Sequence, residues 1–197
     1  MTITDMQNQL TNDQCKNEPK RIMKNELMTD ELKEKAKKIK MLITDCDGVL
    51  TDAGVYYGES GEVLKKFNIR DGMGVERLRN LAGIETGIIT GELSPSVAKR
   101  AEKLKITQLY LGIKDKPSVL RHILSSLELD ASQIAYIGDD VNDLEIMALV
   151  GLTASPADGL FFVKEKVDYV CQADGGKGCF REFAELIILA QANSNKN

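Results

Sequence analysis

The sequence predicts an α/β protein with a doubly wound, mainly parallel sheet. Short apolar segments alternate along the chain with amphipathic helical segments. The apolar segments lack the polar–apolar alternation of a half-exposed strand, so helices are expected to cover both faces of the sheet. Two further strand-like segments, residues 55–57 and 63–67, flank a turn with two glycines and predict a separate β-hairpin.

The other elements are predicted in chain order from periodicity and helix-capping residues. Residues 1–38 are rich in Lys, Glu, Asn and Gln and are expected to form a flexible polar tail, helical only over about 29–38. The predicted sheet strands occupy residues 39–44, 84–89, 108–111, 134–137, 151–154 and 169–171. Helices are predicted at 75–81, 95–105 with Ser94 as its cap, 116–127 and 158–163, after 143, and before a flexible end at 193–197. Residues 39–192 are therefore expected to form one domain.

The composition of the 197-residue chain excludes several functional classes. A net charge of −4 and a pI near 5.2 argue against a nucleic-acid partner or an anionic membrane surface. No apolar run approaches the roughly 18 residues of a membrane span, and the N-terminus lacks the apolar core of a signal peptide. The four cysteines show no zinc-site spacing, so reduced thiols and a cytoplasmic location are expected. The single histidine, His122, lies in a helical pattern, which disfavours histidine-based catalysis.

Acidic residues follow the first predicted strand. Asp45 and Asp47 stand two residues apart directly after the apolar run, and Gly48 lets the chain leave the strand sharply. Two neighbouring carboxylates at a strand end repel each other unless a cation lies between them. These residues alone leave two interpretations open, an ordinary polar turn and a metal-assisted reaction centre.

The ends of the later strands favour the reaction centre. Ligands of an open parallel sheet bind at the carboxyl ends of its strands. The residues expected at that edge are Thr90, Gly91, Lys116, Asp139 and Asp143. Acids, a hydroxyl, a backbone N–H and one cation together suit the cleavage of a phosphate ester.

Each of these residues has a predicted role. Mg²⁺ prefers carboxylates and retained water molecules. Its predicted ligands are Asp45, Asp47 through the backbone carbonyl, Asp139 and Asp143. Asp45 is expected to attack phosphorus, giving an aspartyl-phosphate, while Asp47 protonates the leaving alcohol and later activates water. Charge on the phosphoryl oxygens would be offset by Thr90, the Gly91 N–H and Lys116.

The ordered motifs resemble the haloacid dehalogenase superfamily of phosphatases. They read DCDGVLTD at 45–52, Thr90-Gly91, Lys116 and GDDVND at 138–143, and the match covers about residues 39–190. The resemblance implies a Mg²⁺-dependent phosphatase, because an aspartate at the position of Asp47 marks the phosphatases and mutases of that family. A receiver domain of a signalling pair is an alternative with similar residues, but its phosphorylated aspartate follows a later strand.

The chain leaves no room for a cap domain over this site. A hairpin, one helix and one strand use residues 48–89, and one helix and one strand use residues 91–115. An open site leaves its charges in water, where they act weakly, so a large substrate or a second subunit is expected to close it. The hairpin and the glycine-rich segment 175–178 resemble a capless subgroup, which implies a homotetramer with sites closed by neighbouring subunits. An ordinary hairpin and a flexible linker are the simpler alternatives.

The same resemblance implies a sugar acid phosphate as substrate. The candidates are 3-deoxy-D-manno-octulosonate 8-phosphate and the nine-carbon N-acylneuraminate or deaminated neuraminate 9-phosphates, from lipopolysaccharide or sialic acid biosynthesis. Glu92, Arg100 and Lys103 favour nine carbons, because eight-carbon enzymes commonly carry arginine where Glu92 stands. Arg70 and Arg181, in matching segments, complete the predicted substrate contacts. Two alternatives stay open: Arg100 and Lys103 form a solvated helix face, or the substrate is a protein or a nucleic-acid end.

Overall fold

The computed structural model describes residues 28–192. Residues 1–27 and 193–197 lie outside that range, and with them most of the predicted polar tail and the whole predicted flexible end. The described residues from Leu32 to Ala192 belong to one compact unit, and residues 28–31 belong to a separate unit.

The described residues form helices and strands in the predicted alternation. In chain order these are α1 (Asp30–Lys37), β1 (Met41–Thr44), β2 (Val55–Gly58), β3 (Gly61–Lys65), α2 (Ile69–Ala82), β4 (Glu85–Ile89), α3 (Pro95–Leu104), β5 (Gln108–Tyr110), α4 (Lys116–Leu127), β6 (Ile134–Ile137), α5 (Leu144–Met147), β7 (Leu152–Ser155), α6 (Phe161–Lys164), β8 (Tyr169–Val170) and α7 (Cys179–Ala192). Short 3₁₀ turns, Ala131–Gln133 and Val141–Asp143, precede β6 and α5. Within residues 28–192 a parallel sheet of six strands has the order β5–β4–β1–β6–β7–β8, which confirms the predicted fold class.

The register of this sheet aligns the carboxyl ends of its central strands. Thr44 at the end of β1 pairs with Ile88 of β4 on one side and with Ile137 of β6 on the other. The polar residues that follow these positions are Asp45, Thr90 and Asp139. Because the three strands are parallel and adjacent, these residues emerge at the same edge of the sheet.

Apolar packing holds the sheet in place. Every residue of β1, β6 and β7 is buried, as expected for strands covered on both faces. Ile43 and Tyr136 belong to a buried cluster with Leu120 and Ile123 of α4. Helices α2 and α7 pack against each other, and α7 buries an apolar face that includes Phe183. Each large apolar side chain buried in this way stabilises the fold by roughly 1.5–3 kcal/mol.

The predicted hairpin is an antiparallel pair, β2–β3, separate from the main sheet. Its apolar side chains lie largely in solvent, with exposed fractions between 39% and 73%. These are Val55, Tyr56, Tyr57, Val63 and Leu64. Lys65 at the end of β3 is instead buried. The hairpin is therefore an arm with an apolar surface and one buried cation.

Helix α2 begins earlier than its periodicity predicts. Its N-cap is Asn68, whose side chain accepts a hydrogen bond from the Arg70 N–H, so residues 69–74 are helical as well. Gly72 and Gly74 interrupt the apolar periodicity at this start of the helix. Their small size permits close packing. A Cβ at Gly72 would lie 2.4 Å from Arg100 Nη2, and one at Gly74 would lie 3.1 Å from the Arg181 Cα in α7.

No helix within residues 28–192 combines the length and apolar character needed to cross a bilayer.

Candidate active site

Three carboxylates meet at the carboxyl edge of the central strands. One oxygen from each of Asp45, Asp139 and Asp143 can be chosen so that all three lie within 4.8 Å of one another. Asp45 follows β1, and its backbone N–H donates to the Ile137 carbonyl at 2.9 Å, which continues the sheet by one residue. Asp139 and Asp143 follow β6. The sheet register therefore assembles the predicted acidic site.

The electrostatics of this cluster fit a divalent cation. Burial, joined by the negative charge of neighbouring acids, raises the pKa of Asp45 to about 6 and that of Asp139 to about 8. A cation between the carboxylates would reverse this cost by favouring their ionised forms. The Asp139 carboxylate lies close against the backbone of the first loop: Gly48 has φ +87°, and a Cβ on it would lie 2.0 Å from Asp139 Oδ2. Oxygen donors in this number and charge suit Mg²⁺.

Lys116 neutralises part of the negative charge of the acidic cluster. Its Nζ donates to Asp45 Oδ1 at 2.7 Å and to Asp143 Oδ1 at 2.6 Å, and the residue is 1% exposed. Burial alone would lower the Lys116 pKa, but the two carboxylates outweigh burial and raise it. The ammonium group therefore stays charged beside Asp45.

Asp143 has hydrogen bonds on both carboxylate oxygens. Its Oδ1 accepts from the Tyr136 hydroxyl at 2.6 Å as well as from Lys116. Its Oδ2 accepts from the backbone N–H groups of Asp139 at 3.1 Å and Asp140 at 3.3 Å. These contacts make Asp143 a brace for the Asp139 loop, which adds to its predicted role as a metal ligand. Tyr136 was missed in the sequence, and the available signal was one hydroxyl-bearing residue in an otherwise aliphatic strand.

Thr90 and Gly91 occupy the predicted strand end after β4. Thr90 is 1% exposed, and its backbone N–H donates to the Tyr110 carbonyl at 3.0 Å. The Thr90 hydroxyl oxygen accepts from the Glu92 N–H at 3.3 Å, which turns the chain sharply away from the sheet. Gly91 lies exposed at this turn. The phosphate contacts assigned to both residues stay predictions.

The Asp47 carboxylate lies outside the three-acid cluster. Its Oδ2 accepts from Lys65 Nζ at 2.5 Å, and its Oδ1 accepts from the Thr51 hydroxyl at 3.3 Å. The predicted metal contact through the Asp47 backbone carbonyl and the predicted proton transfer by its carboxylate stay predictions. Sequence reasoning missed Lys65, because its 18-residue separation from Asp47 carries no local pattern.

The glycine-rich segment 175–178 packs against residues 45–52 of its own chain, the candidate catalytic loop after β1. The Gly176 N–H donates to the Val49 carbonyl at 2.9 Å, and Asn68 Nδ2 donates to the Gly176 carbonyl at 3.0 Å. A Cβ at Gly175 would lie 2.0 Å from the Gly48 carbonyl oxygen, so the two chain segments touch through backbone atoms. The flexible-linker interpretation of this segment is therefore wrong.

The predicted substrate contacts divide into two groups. Arg70, Glu92 and Lys103 are exposed, and their substrate roles stay predictions. Arg100 instead donates to the Asn68 carbonyl at 3.0 Å and lies over the Phe67 ring, so it is not the solvated side chain of the alternative interpretation. Arg181 Nε donates to Glu185 Oε1 at 2.8 Å within α7. A substrate contact by Arg100 or Arg181 stays a prediction, and it would compete with these bonds.

Comparisons with known proteins agree with the motif order. A family model described as haloacid dehalogenase-like hydrolase matches residues 59–151. The chain is 42% identical over 164 residues to a Yersinia pestis protein named 3-deoxy-D-manno-octulosonate 8-phosphate phosphatase KdsC, covering 83% of this chain and 87% of the relative.

Solved structures give the same result. A cobalt-bound deoxy-D-mannose-octulosonate 8-phosphate phosphatase from Haemophilus influenzae has a TM-score of 0.78 at 39% identity, over 81% of this chain and 93% of that one. The Moraxella catarrhalis 3-deoxy-D-manno-octulosonate 8-phosphate phosphatase, in complex with magnesium, phosphate and KDO, has a TM-score of 0.80 at 37% identity, over 85% and 96%.

Proposed function

Because the chain belongs to the haloacid dehalogenase-like hydrolases, we propose that its three-acid cluster hydrolyses the phosphate ester of a sugar acid. The protein is a phosphatase, as its relatives are. Family membership also excludes the receiver-domain alternative. The single observation that carries the proposal is the Asp45 carboxylate, buried beside two further acids and bonded to Lys116.

Mg²⁺ is the cofactor of this phosphatase. Asp45, Asp139 and the Asp47 carbonyl would hold the ion, and Asp143 would contribute to the cluster or orient it through the Asp139 loop. When bound, the ion neutralises the carboxylates and attracts negative charge on the phosphoryl oxygens.

Asp45 is the nucleophile of the proposed mechanism. Lys116 holds its Oδ1, which fixes the direction in which the carboxylate faces the substrate. An Asp45 oxygen forms a bond to phosphorus while the bond from phosphorus to the sugar oxygen breaks, giving an aspartyl-phosphate. Thr90, Gly91 and Lys116 stabilise the charge on the phosphoryl oxygens during this step.

Asp47 moves the protons of both steps. Its carboxylate first gives a proton to the departing sugar oxygen. It then takes a proton from a water molecule as that water attacks phosphorus, which releases phosphate and restores Asp45. The position of its carboxylate outside the acidic cluster supports this separate task.

The proposed substrate is 3-deoxy-D-manno-octulosonate 8-phosphate, an intermediate of lipopolysaccharide biosynthesis. Its support is the activity for which the relatives are named, together with a similar structure in complex with KDO and phosphate. Glu92 is the observation that favours the nine-carbon alternative, since it lies exposed beside Thr90 and could accept hydrogen bonds from extra hydroxyls or an amide.

Kinetics on the two sugar acid phosphates tests both parts of this proposal. Asp45→Asn is expected to abolish turnover of either substrate, and retained turnover would refute the nucleophile. In the wild-type enzyme we expect kcat/KM for octulosonate 8-phosphate to exceed that for N-acylneuraminate 9-phosphate by at least about tenfold, roughly 1.4 kcal/mol in the transition state. The reverse preference would establish the nine-carbon alternative. Absence of turnover on both would favour a macromolecular substrate.

A further inference from the structure

The hairpin delivers one buried cation to the catalytic loop. Lys65 stands at the end of β3, a strand whose other residues are exposed or half-buried, yet its side chain has no solvent exposure. Its Nζ lies 2.5 Å from Asp47 Oδ2. A lysine is rarely buried unless it is paired, so this contact defines where the side chain lies.

A second set of contacts fixes the same ammonium group from the opposite direction. Glu62 Oε2 lies 3.6 Å from Lys65 Nζ, and Glu62 Oε1 accepts a hydrogen bond from the Ser94 hydroxyl. Ser94 is the N-cap of α3, the helix that follows the Thr90-Gly91 turn. Lys65 is thus held between the catalytic loop and the loop after β4.

The two oxygens of Asp47 are used unequally. Oδ2 has the short contact with Lys65, while Oδ1 has a 3.3 Å hydrogen bond from Thr51. The Thr51 hydroxyl oxygen itself accepts from the Gly48 N–H at 3.4 Å and the Ala53 N–H at 3.2 Å, which orients it. Oδ1 is therefore the oxygen with more capacity for a further partner.

We propose that Lys65 is a positioning residue for Asp47: by holding Oδ2 it presents Oδ1 to the oxygen that leaves phosphorus. This inference rests on the proposed function and adds the residue that aims its proton donor. As the phosphorus–oxygen bond to the sugar breaks, the proton on Oδ1 passes to the departing oxygen, and the next proton, from water, returns to Oδ1. Lys65 keeps its own proton throughout.

Two substrates separate this role from a purely structural one. A sugar phosphate releases an alkoxide that needs a proton, whereas p-nitrophenyl phosphate releases a stable phenolate that does not. Lys65→Met keeps the length and apolar stem of the side chain. We expect it to lower kcat on the sugar acid phosphate by about 10–100-fold, part of the effect of a general acid. On p-nitrophenyl phosphate the burst of nitrophenolate should keep its rate within about threefold, followed by slow turnover, because water activation also needs Asp47.

Matched variants distinguish a positioning role of Lys65 from a purely structural one when activity is lost. Lys66→Met removes the adjacent lysine, which is exposed and pairs with Asp52, and should leave both rates unchanged. Asp47→Asn should show the same leaving-group dependence as Lys65→Met, and the double variant should be no slower than Asp47→Asn alone, since both act through one group. Equal slowing of sugar acid phosphate turnover and of the nitrophenolate burst by Lys65→Met, or additive losses in the double variant, would overturn the positioning role.

Failure of the proposed function itself gives a different result. If Asp47→Asn shows no leaving-group dependence, the proton-transfer assignment is wrong, and the Lys65 role falls with it. If only Lys65→Met lacks the dependence, the Lys65 role alone is wrong. Should Lys65→Met not fold, Glu62→Gln weakens the second contact of the ammonium while keeping an acceptor for Ser94. A threefold or larger loss of sugar phosphate turnover with an unchanged nitrophenolate burst would then support the role, and an equal loss of turnover and burst would reject it.

Discussion

At the scale of single residues, the backbone conformation of Gly48 and its lack of a side chain are expected to matter for Mg²⁺ binding. Its φ of +87° lies in the region that favours glycine, and its missing side chain lets the Asp139 carboxylate lie against the backbone. Gly48→Ala should weaken Mg²⁺ binding by at least tenfold, because the new Cβ would displace the Asp139 carboxylate. Mg²⁺ titrations monitored by calorimetry and by enzyme activity measure this change in Mg²⁺ affinity.

A glycine of similar conformation supplies the control for that experiment. Gly83 ends α2 with φ +67°, and nothing lies within 4 Å of a Cβ added there. Gly83→Ala therefore carries backbone strain of about 1–2 kcal/mol without approaching an acid. It should lower the melting temperature and leave Mg²⁺ affinity unchanged. Equal metal affinity in both variants would contradict the predicted steric role of Gly48.

At the scale of elements, the contact between α2 and α7 contains a buried acid. Asp71 in the first turn of α2 is 2% exposed, and its Oδ1 accepts from the Arg181 N–H at 3.0 Å. Its Oδ2 has no hydrogen-bond partner among the described residues. Burial, only partly offset by backbone hydrogen bonds and nearby arginines, raises the pKa of Asp71 to about 6.

This raised pKa predicts how the stability of the helix pair varies with pH. Between the ordinary value of 3.8 and about 6, the folded state binds the extra proton, so the contribution of Asp71 to stability falls as pH rises. Asp71→Asn keeps an acceptor for the Arg181 N–H and cannot ionise. Its melting temperature relative to wild type should therefore rise by about 2–4 °C between pH 5 and pH 7. Parallel melting curves over that range would show that Asp71 is not the titrating group.

The sequence predicts elements well where the signal is local. The buried strands are short apolar runs, and Ser94 and Pro95 mark the start of α3, so these elements could be located without tertiary information. Asp45, Thr90 and Asp139 could be placed together because parallel strands share one edge. The Lys65–Asp47 contact and the Gly175–Gly48 approach could not, since both join segments far apart in sequence. Gly72 and Gly74 likewise made the first turn of α2 unpredictable from periodicity. Their presence is explained only by the close packing of that turn.

At the scale of the whole molecule, the open edge of the sheet and the apolar hairpin point to assembly. The five exposed apolar residues of the hairpin form a surface that a soluble monomer would be expected to cover. The hairpin also carries Lys65, so whatever covers its outer face would restrain the residue that contacts Asp47. A homotetramer, as implied by the family resemblance, would cover the apolar hairpin surface and restrain Lys65. It stays a prediction.

Leu64→Glu tests that assembly in the intact protein. The Leu64 side chain is part of the hairpin surface with 59% exposure, and a charge buried in an apolar interface is strongly unfavourable. We expect wild type to have about four times the 21.7 kDa chain mass by light scattering, and the variant to approach a single chain with at least tenfold lower kcat/KM. Leu81→Glu is the matched control, because Leu81 in α2 is 58% exposed and outside the hairpin. A monomeric wild type of full activity would show that the site is closed by its substrate alone.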